Sequence, residues 1–124
     1  MTVYASHLAH AAYAPAATAP ARPAQTTEYQ AFARITSALK RARSTPDVVH
    51  ALHQNRQLWT TLAVDVADPG NALPEDLRAR ILYLAEFTRM HTGKVLRGKA
   101  DAESLIDINT AMMRGLRQQQ DHVR

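Results

Sequence analysis

The spacing of apolar residues between positions 48 and 67 constrains the fold more than any other feature of the chain. Residues suited to one packed face recur there at alternating intervals of four and three: Val48, Leu52, Asn55, Trp59, Leu62 and Val66. Such intervals place every member on one side of an α-helix, whereas a strand would alternate with period two. The segment is therefore predicted to be a helix that packs against other helices along this face.

Three more segments carry a comparable apolar stripe, and no segment alternates with period two. The first stripe is Phe32, Ile35 and Leu39; the next, beyond the 48–67 segment, is Leu77, Ile81, Leu84, Thr88, His91 and Val95; the last is Leu105, Ile108, Met112 and Leu116. A chain of 124 residues can bury one core, so these segments are expected to share it. The predicted fold is all-α, a compact bundle of about four helices.

Capping and turn residues give the expected limits of these helices. The predicted starts are Thr27, Thr45 with Pro46 at the first helical position, Pro74, and Asp101; the predicted stops are Arg43, Asp68 and Gly98. Hydroxyl and carboxylate side chains cap helix starts, whereas glycine ends helices and weakens their interiors. Gly93 is therefore expected to be a weak point inside the third helix rather than its end.

The chain divides into three parts by composition. Residues 1–25 are rich in alanine and contain three prolines, so a flexible or extended arm is predicted there. Within it, residues 3–13 are expected to form a short helix only on a partner, since isolated short helices are marginal. Residues 26–118 form the predicted helical domain, and residues 119–124 are a polar tail expected to fray.

Charge gives little support to a nucleic-acid partner. The net charge of +4 is spread along the chain, and only residues 40–43 form a basic cluster. Acids near helix starts and bases near helix ends are accounted for by the helix dipole. Binding of RNA through Arg34, Lys40, Arg41 and Arg43 stays open as an alternative.

Composition argues against several other classes. The chain has no cysteine and no uncharged apolar run of about 20 residues, so neither a thiolate zinc site nor membrane insertion is expected. We expect a cytoplasmic protein. His50 and His53 share a helix face but have no third ligand at a supporting spacing, and no serine lies in a nucleophile motif. The sequence predicts no enzyme activity, no cofactor and no metal site.

Asn55 and Trp59 allow two interpretations each. A buried Asn55 must form hydrogen bonds, and bonding to a neighbouring backbone group that fixes helix register is favoured over contact with a partner. Asn109 has the same two interpretations. Trp59 is either a core anchor or, if partly exposed, a binding hot spot.

Together these motifs resemble the FlaF family of flagellar biosynthesis regulators of alphaproteobacteria. The resemblance covers about residues 13–116 and rests on four groups in register: Glu28-Tyr29 with Phe32 and Leu39; Asn55-Arg56-x-Leu58-Trp59; Asp68-Pro69-x-Asn71-x-Leu73-Pro74; and Leu105-Ile106-x-Ile108-Asn109 with Gly115-Leu116. The chain departs from the family mainly in its long Ala/Pro arm, to which no role is assigned.

The resemblance implies a cytoplasmic, non-enzymatic accessory protein needed for flagellin production. It implies binding of flagellin before export, in a chaperone-like role, and cooperation with the regulator FlbT, which influences translation of flagellin messenger RNA. Two alternatives stay open: direct contact with that messenger, and an adaptor that binds mainly FlbT or a second copy of itself.

A helical bundle would present a groove to an amphipathic flagellin helix. Its walls are predicted from apolar residues that lie off the main stripes: Leu58, Leu82, Phe87 and Met113. The family motif itself is expected to hold helices in register.

Overall fold

The computed structural model describes the backbone of residues 21–123 and the side chains of residues 27–118. The helices are α1 (Ala21–Arg41), α2 (Thr45–Ala67), α3 (Glu75–Leu96) and α4 (Glu103–Val123). The described residues contain no strand, so the predicted all-α bundle of four helices is confirmed. The short helix expected at residues 3–13, and the predicted arm as far as residue 20, lie outside the described residues.

The helices run up and down around a ring. Pairs α1–α2, α2–α3, α3–α4 and α4–α1 are in contact, and the contact between α3 and α4 is the least extensive. Neighbouring helices are antiparallel: Tyr29 near the start of α1 meets Arg117 near the end of α4, whereas Leu39 shares a cluster with Leu105.

The core consists of two apolar clusters stacked along the bundle. The larger cluster holds Phe32, Ile35, Leu58, Trp59, Leu62, Val66, Leu73, Ile81 and Leu116. The smaller cluster, toward the other end, holds Leu39, Ala51, Leu52 and Leu105. Asn55 follows Leu52 and precedes Leu58, and Asn109 follows Leu105 and precedes Leu116, so both amides lie where the clusters meet.

The predicted starts of α1 and α2 are corrected. Helix α1 begins at Ala21, six residues before Thr27, and Pro23 falls in its first turn, where a missing N–H breaks no helical hydrogen bond. The cap of α2 is Ser44 rather than Thr45, because the Ser44 hydroxyl accepts a hydrogen bond from the Asp47 N–H at 3.3 Å. Pro46 accordingly lies at the second helical position.

The turn between α2 and α3 is held by side chains, at the predicted place. The Asp68 carboxylate accepts from the Gly70 N–H at 2.9 Å, and the Asn71 carbonyl oxygen accepts from the Leu73 N–H at 2.9 Å. The Asn71 amide also donates back to the carbonyl and carboxylate of Asp65 at 3.2 and 3.1 Å. These bonds place Leu73 in the core, and α3 starts after Pro74.

The end of α3 agrees with the predicted limit, whereas the predicted start of α4 is corrected by one residue. Gly98 has a φ of 73°, and the N–H groups of Gly98 and Lys99 bond the carbonyls of Val95 and Lys94 at 3.0 and 2.8 Å. This is a Schellman ending, which requires the left-handed conformation that glycine adopts without strain. The cap position of α4 is Ala102, whose carbonyl accepts from the Ile106 N–H at 3.1 Å, one residue after the predicted Asp101. The Asp101 carboxylate still bonds the start of the helix by accepting from the Glu103 N–H at 3.0 Å. Helix α4 continues to Val123, through the polar tail.

Candidate partner-binding groove

An open apolar groove of about 330 Å³ lies between α3 and α4. Its α3 wall comes from residues spaced by four and three along the helix, and its α4 wall from the second half of that helix. The principal lining residues are Leu77, Ile81, Leu84, Ile108, Met112 and Gly115. The walls are apolar, and Arg80 adds a cationic side chain to the lining.

The contact between α3 and α4 is the least extensive of the four helix pairs, and two small residues of α4, Ala111 and Gly115, line the groove between them. Gly115 has no side chain, and a Cβ built at this position would meet no described atom within 4 Å. Ala111, one turn earlier, contributes only a methyl group. The sequence predicted Leu77 as part of a buried stripe, but it is 37% exposed. That expectation was wrong because the apolar stripe of α3 is wider than the surface that its neighbours cover.

The groove has a firm floor. Ile81, Leu73 and Leu116 line it and also belong to the larger core cluster, where each is buried. Closely packed interiors deform little, so these residues hold the two walls in a fixed position. The site is therefore a preformed apolar surface, of the kind that receives the apolar face of a helix.

The four predicted groove residues lie in different surroundings. Leu58 is 1% exposed and belongs to the larger core cluster, so its assignment to an accessible wall was wrong. It lies beside Trp59 on the inner side of α2, where the packed surface is wider than one residue. Leu82 and Phe87 are exposed, with Leu82 in a shallow cleft between α2 and α3 and Phe87 stacked on His91. Met113 is half-buried against the core. A role for these three in partner binding stays a prediction.

Trp59 is a core anchor. It is 1% exposed, and its ring meets that of Phe32 edge to face, with centroids 5.8 Å apart. Its indole N–H donates to the Asn109 side-chain oxygen at 2.9 Å, and the Asn109 amide donates to the Asn55 oxygen at 2.7 Å. These bonds tie α2 to α4 through side chains, which differs from the expected bond between Asn55 and a neighbouring backbone group.

The direction of this polar chain is set by Trp59. An indole N–H can only donate, so Asn109 must present its oxygen to Trp59 and its amino group to Asn55. Asn55 must then present its own oxygen, which leaves its Nδ2 buried with no hydrogen-bond partner in the described part. One unpaired donor of this kind lowers the stability of the folded protein by on the order of 1–3 kcal/mol. This cost accompanies a polar chain that fixes the register of α2 against α4.

Two motif residues, Arg56 and Gly115, line clefts between helices. Arg56 is exposed and lines the cleft of about 240 Å³ between α2 and α3, beside Trp59 and Leu82. Gly115 lies in the α3–α4 groove. Most of the motif therefore holds the bundle together, and Gly115 is the member that shapes the groove.

Glu28 is a buried acid, although the sequence predicted it near a helix start, where its charge would complement the helix dipole. It lies instead inside α1, it is 1% exposed, and neither carboxylate oxygen has a hydrogen-bond partner among the described residues. Loss of solvation raises its pKa to about 8, and the nearby charge of Asp65 contributes to this rise. The four-three spacing of Glu28, Phe32, Ile35 and Leu39 was the signal that could have placed it on the buried stripe.

Two arginines of the basic cluster at residues 40–43 form hydrogen bonds with residues close to them in the sequence. The Arg41 guanidinium donates to the Ser37 hydroxyl at 2.6 Å. Arg43 donates to the carbonyls of Lys40 and Ala42 at 2.9 and 3.1 Å. Arg41 thus bonds within the last turn of α1, and Arg43, just beyond the helix, bonds back to carbonyls at its end, where a cation also complements the dipole.

Within the described chain, no three histidine or acidic side chains come close enough together to hold a metal ion. His50 and His53 are both exposed on α2. Among the described residues, no helix combines the length and the apolar character that crossing a membrane requires.

The fold and the groove define a class: a small up-and-down helical protein with an open apolar groove between α3 and α4. A model of one known family matches residues 9–116, which is most of the chain, and its description is flagellar protein FlaF. The chain belongs to the FlaF family of flagellar proteins, a flagellar regulatory family that is not known as an enzyme family. No curated protein and no solved structure matches it significantly.

Proposed function

We propose that this protein is a cytoplasmic, non-enzymatic regulator of flagellum biogenesis that binds an amphipathic helix of flagellin in the α3–α4 groove. In this role it supports the synthesis and secretion of flagellin before assembly. Membership of the FlaF family supports a flagellar role. The groove supports the mode of binding.

The observation that carries the proposal is the exposed apolar lining of the groove. Leu77 is accessible although it lies on the same face as the buried Ile81, and Gly115 leaves the opposite wall open. An amphipathic helix laid along these residues would place its apolar positions against them and keep its polar face in water. Such a partner helix would cover apolar surface that the limited contact between α3 and α4 leaves exposed.

Gly115 offers a test that blocks the groove without cutting into the core. In Gly115→Leu, the new side chain is expected to enter the groove, because a Cβ at this position meets no described atom within 4 Å. We expect this variant to weaken flagellin binding by about tenfold or more, measured by calorimetry with purified unassembled flagellin. Gly115→Ala is the matched control, because it adds one methyl group and should keep most of the affinity.

A second control separates this groove from the outer face of α3. Tyr83 is 70% exposed and Met90 is 52% exposed, and neither lines the groove. The double variant Tyr83→Ser with Met90→Ser should bind flagellin as the unchanged protein does. Binding that survives Gly115→Leu but is lost in this double variant would refute the groove assignment. Binding of FlbT but not of flagellin by the unchanged protein would refute the proposed partner.

A further inference from the structure

We propose that residues 3–13 of this same chain occupy the α3–α4 groove when no partner is bound. The N-terminal segment would then act as an internal competitor that a partner helix must displace. The proposal concerns the same groove but not the identity of its external partner, so it stands or fails independently of flagellin binding.

The start of α1 and the α3–α4 groove lie at the same end of the bundle. Tyr29 of α1 lies beside Arg117 of α4, which is one turn or less from the groove residues Gly115 and Leu116. Helix α1 begins eight residues earlier, at Ala21, so the preceding chain leaves the bundle at the end where the groove lies. Eight helical residues span about 12 Å, and adjacent helices lie about 8–10 Å apart. The groove is thus about 20 Å from the start of α1.

Seven residues, 14–20, separate the proposed occupant of the groove from the start of α1. Residues 14–20 include Pro15 and Pro20, and a seven-residue extended segment reaches about 23 Å at about 3.3 Å per residue. This linker is long enough to carry residues 3–13 across the end of α4 to the groove.

The N-terminal residues match the apolar character of the groove. Residues 1–20 contain no lysine, arginine, aspartate or glutamate, so no fixed side-chain charge has to be buried. Tyr4, Leu8 and Ala11 are spaced by four and three residues, the same intervals that line the α3 wall. An apolar segment with helical spacing complements an apolar groove between two helices.

Because the segment belongs to the same chain as the groove, it needs only a low intrinsic affinity to occupy it. A partner joined through a short linker has an effective concentration on the order of millimolar, so half-occupancy of the groove requires an intrinsic Kd of only about 1 mM. Burial of a Tyr or a Leu side chain strengthens binding by roughly tenfold to a hundredfold each, before ordering costs. Two such side chains therefore provide the affinity that half-occupancy requires. The segment should still bind weakly enough to be displaced by a partner.

The absence of cysteine permits a direct test on the full-length protein. In His10→Cys, a nitroxide attached to the new thiol labels the segment at one site, off the Tyr4–Leu8 face. Met112 lies in the groove, whereas Met90 lies on α3 toward the opposite end and is exposed. We expect the nitroxide to broaden the Met112 methyl NMR signal strongly and the Met90 signal little.

A matched variant distinguishes docking from mere proximity. Adding Tyr4→Ser and Leu8→Ser to the labelled chain should remove most of the broadening at Met112. Equal broadening at Met112 and Met90, or broadening that survives these two changes, would overturn the proposal. So would broadening that arises only in a mixture of nitroxide-labelled and isotope-labelled molecules, because the segment would then enter a second copy.

Discussion

Replacement of Glu28 by glutamine should change how the stability of this protein depends on pH. Glu28 is a carboxyl group on the buried face of α1, with both oxygens unpaired within the described part of the chain and its pKa raised to about 8, mainly by loss of solvation. The glutamine side chain would have nearly the same shape and no proton to gain or lose. The difference in unfolding free energy between the two proteins therefore isolates the titration of this one group.

The sign follows from the two protonation states. Below pH 4.5, Glu28 is protonated in the folded and the unfolded chain, and its titration costs nothing. Between pH 4.5 and about 8 the unfolded chain ionises while the folded protein does not, so stability falls as pH rises. At about 1.4 kcal/mol per pH unit, the loss is about 3 kcal/mol at pH 7 and approaches about 5 kcal/mol above pH 8.

The assay is urea unfolding of both proteins, followed by circular dichroism, at intervals from pH 4.5 to 8.5. A constant offset is expected, because a buried glutamine amide also lacks partners. The advantage of Glu28→Gln should nevertheless grow by about 3 kcal/mol between pH 4.5 and pH 7. The remaining ionisable groups are the same in both proteins, so the comparison of the two curves reports on the replaced side chain. Two curves that stay parallel across this range would show that Glu28 is not held as a neutral buried acid.

Two further predictions concern the amides and the glycines. Asn109→Leu should destabilise the protein by about 2–5 kcal/mol, because it leaves the Trp59 N–H and the Asn55 oxygen without their partner. In urea unfolding, the losses of stability of Asn109→Leu and Asn55→Leu should be strongly non-additive when the two changes are combined in one double variant. Additive losses would contradict the shared hydrogen-bond network. Gly98→Ala should lower the unfolding free energy by roughly 1–2 kcal/mol, because φ at this position is 73°. Gly115→Ala should raise the unfolding free energy by roughly 0.5–1 kcal/mol, because this helical site is open. If thermal or urea unfolding showed both variants to be stabilised, or both destabilised, this comparison would be refuted.

Periodicity and capping chemistry predicted the fold well because both depend on nearby residues. The four-three intervals of α2 placed Leu52, Trp59 and Val66 on the buried face. The motif from Asp68 to Pro74 predicted a turn, and side-chain bonds from Asp68 and Asn71 hold it. The start of α1 was missed because a proline normally suggests a helix limit, although the first turn tolerates it.

Long-range pairing could not be read from the sequence. The intervals showed that Asn55 and Asn109 lie on packed faces, but they could not show that α2 and α4 bring the two amides together. Glu28 was likewise assigned by its charge rather than by its place on the stripe of Phe32. A charged residue at a core position is uncommon, so composition pointed to the surface while spacing pointed inward.

The groove shows why a buried stripe and a binding surface look alike in a sequence. Leu77 and Ile81 occupy equivalent positions in the four-three pattern of α3, yet one is exposed and the other is buried. Periodicity reports that a helix face is apolar, whereas the covering of that face depends on the size of residues on another helix. Here Ala111 and Gly115 on α4 are too small to cover it. In related chains, the sequence signal for such a groove is therefore a small residue on the apolar stripe of one helix opposite a large apolar residue on another. In this chain, enlarging Gly115 should fill the groove and bury its walls.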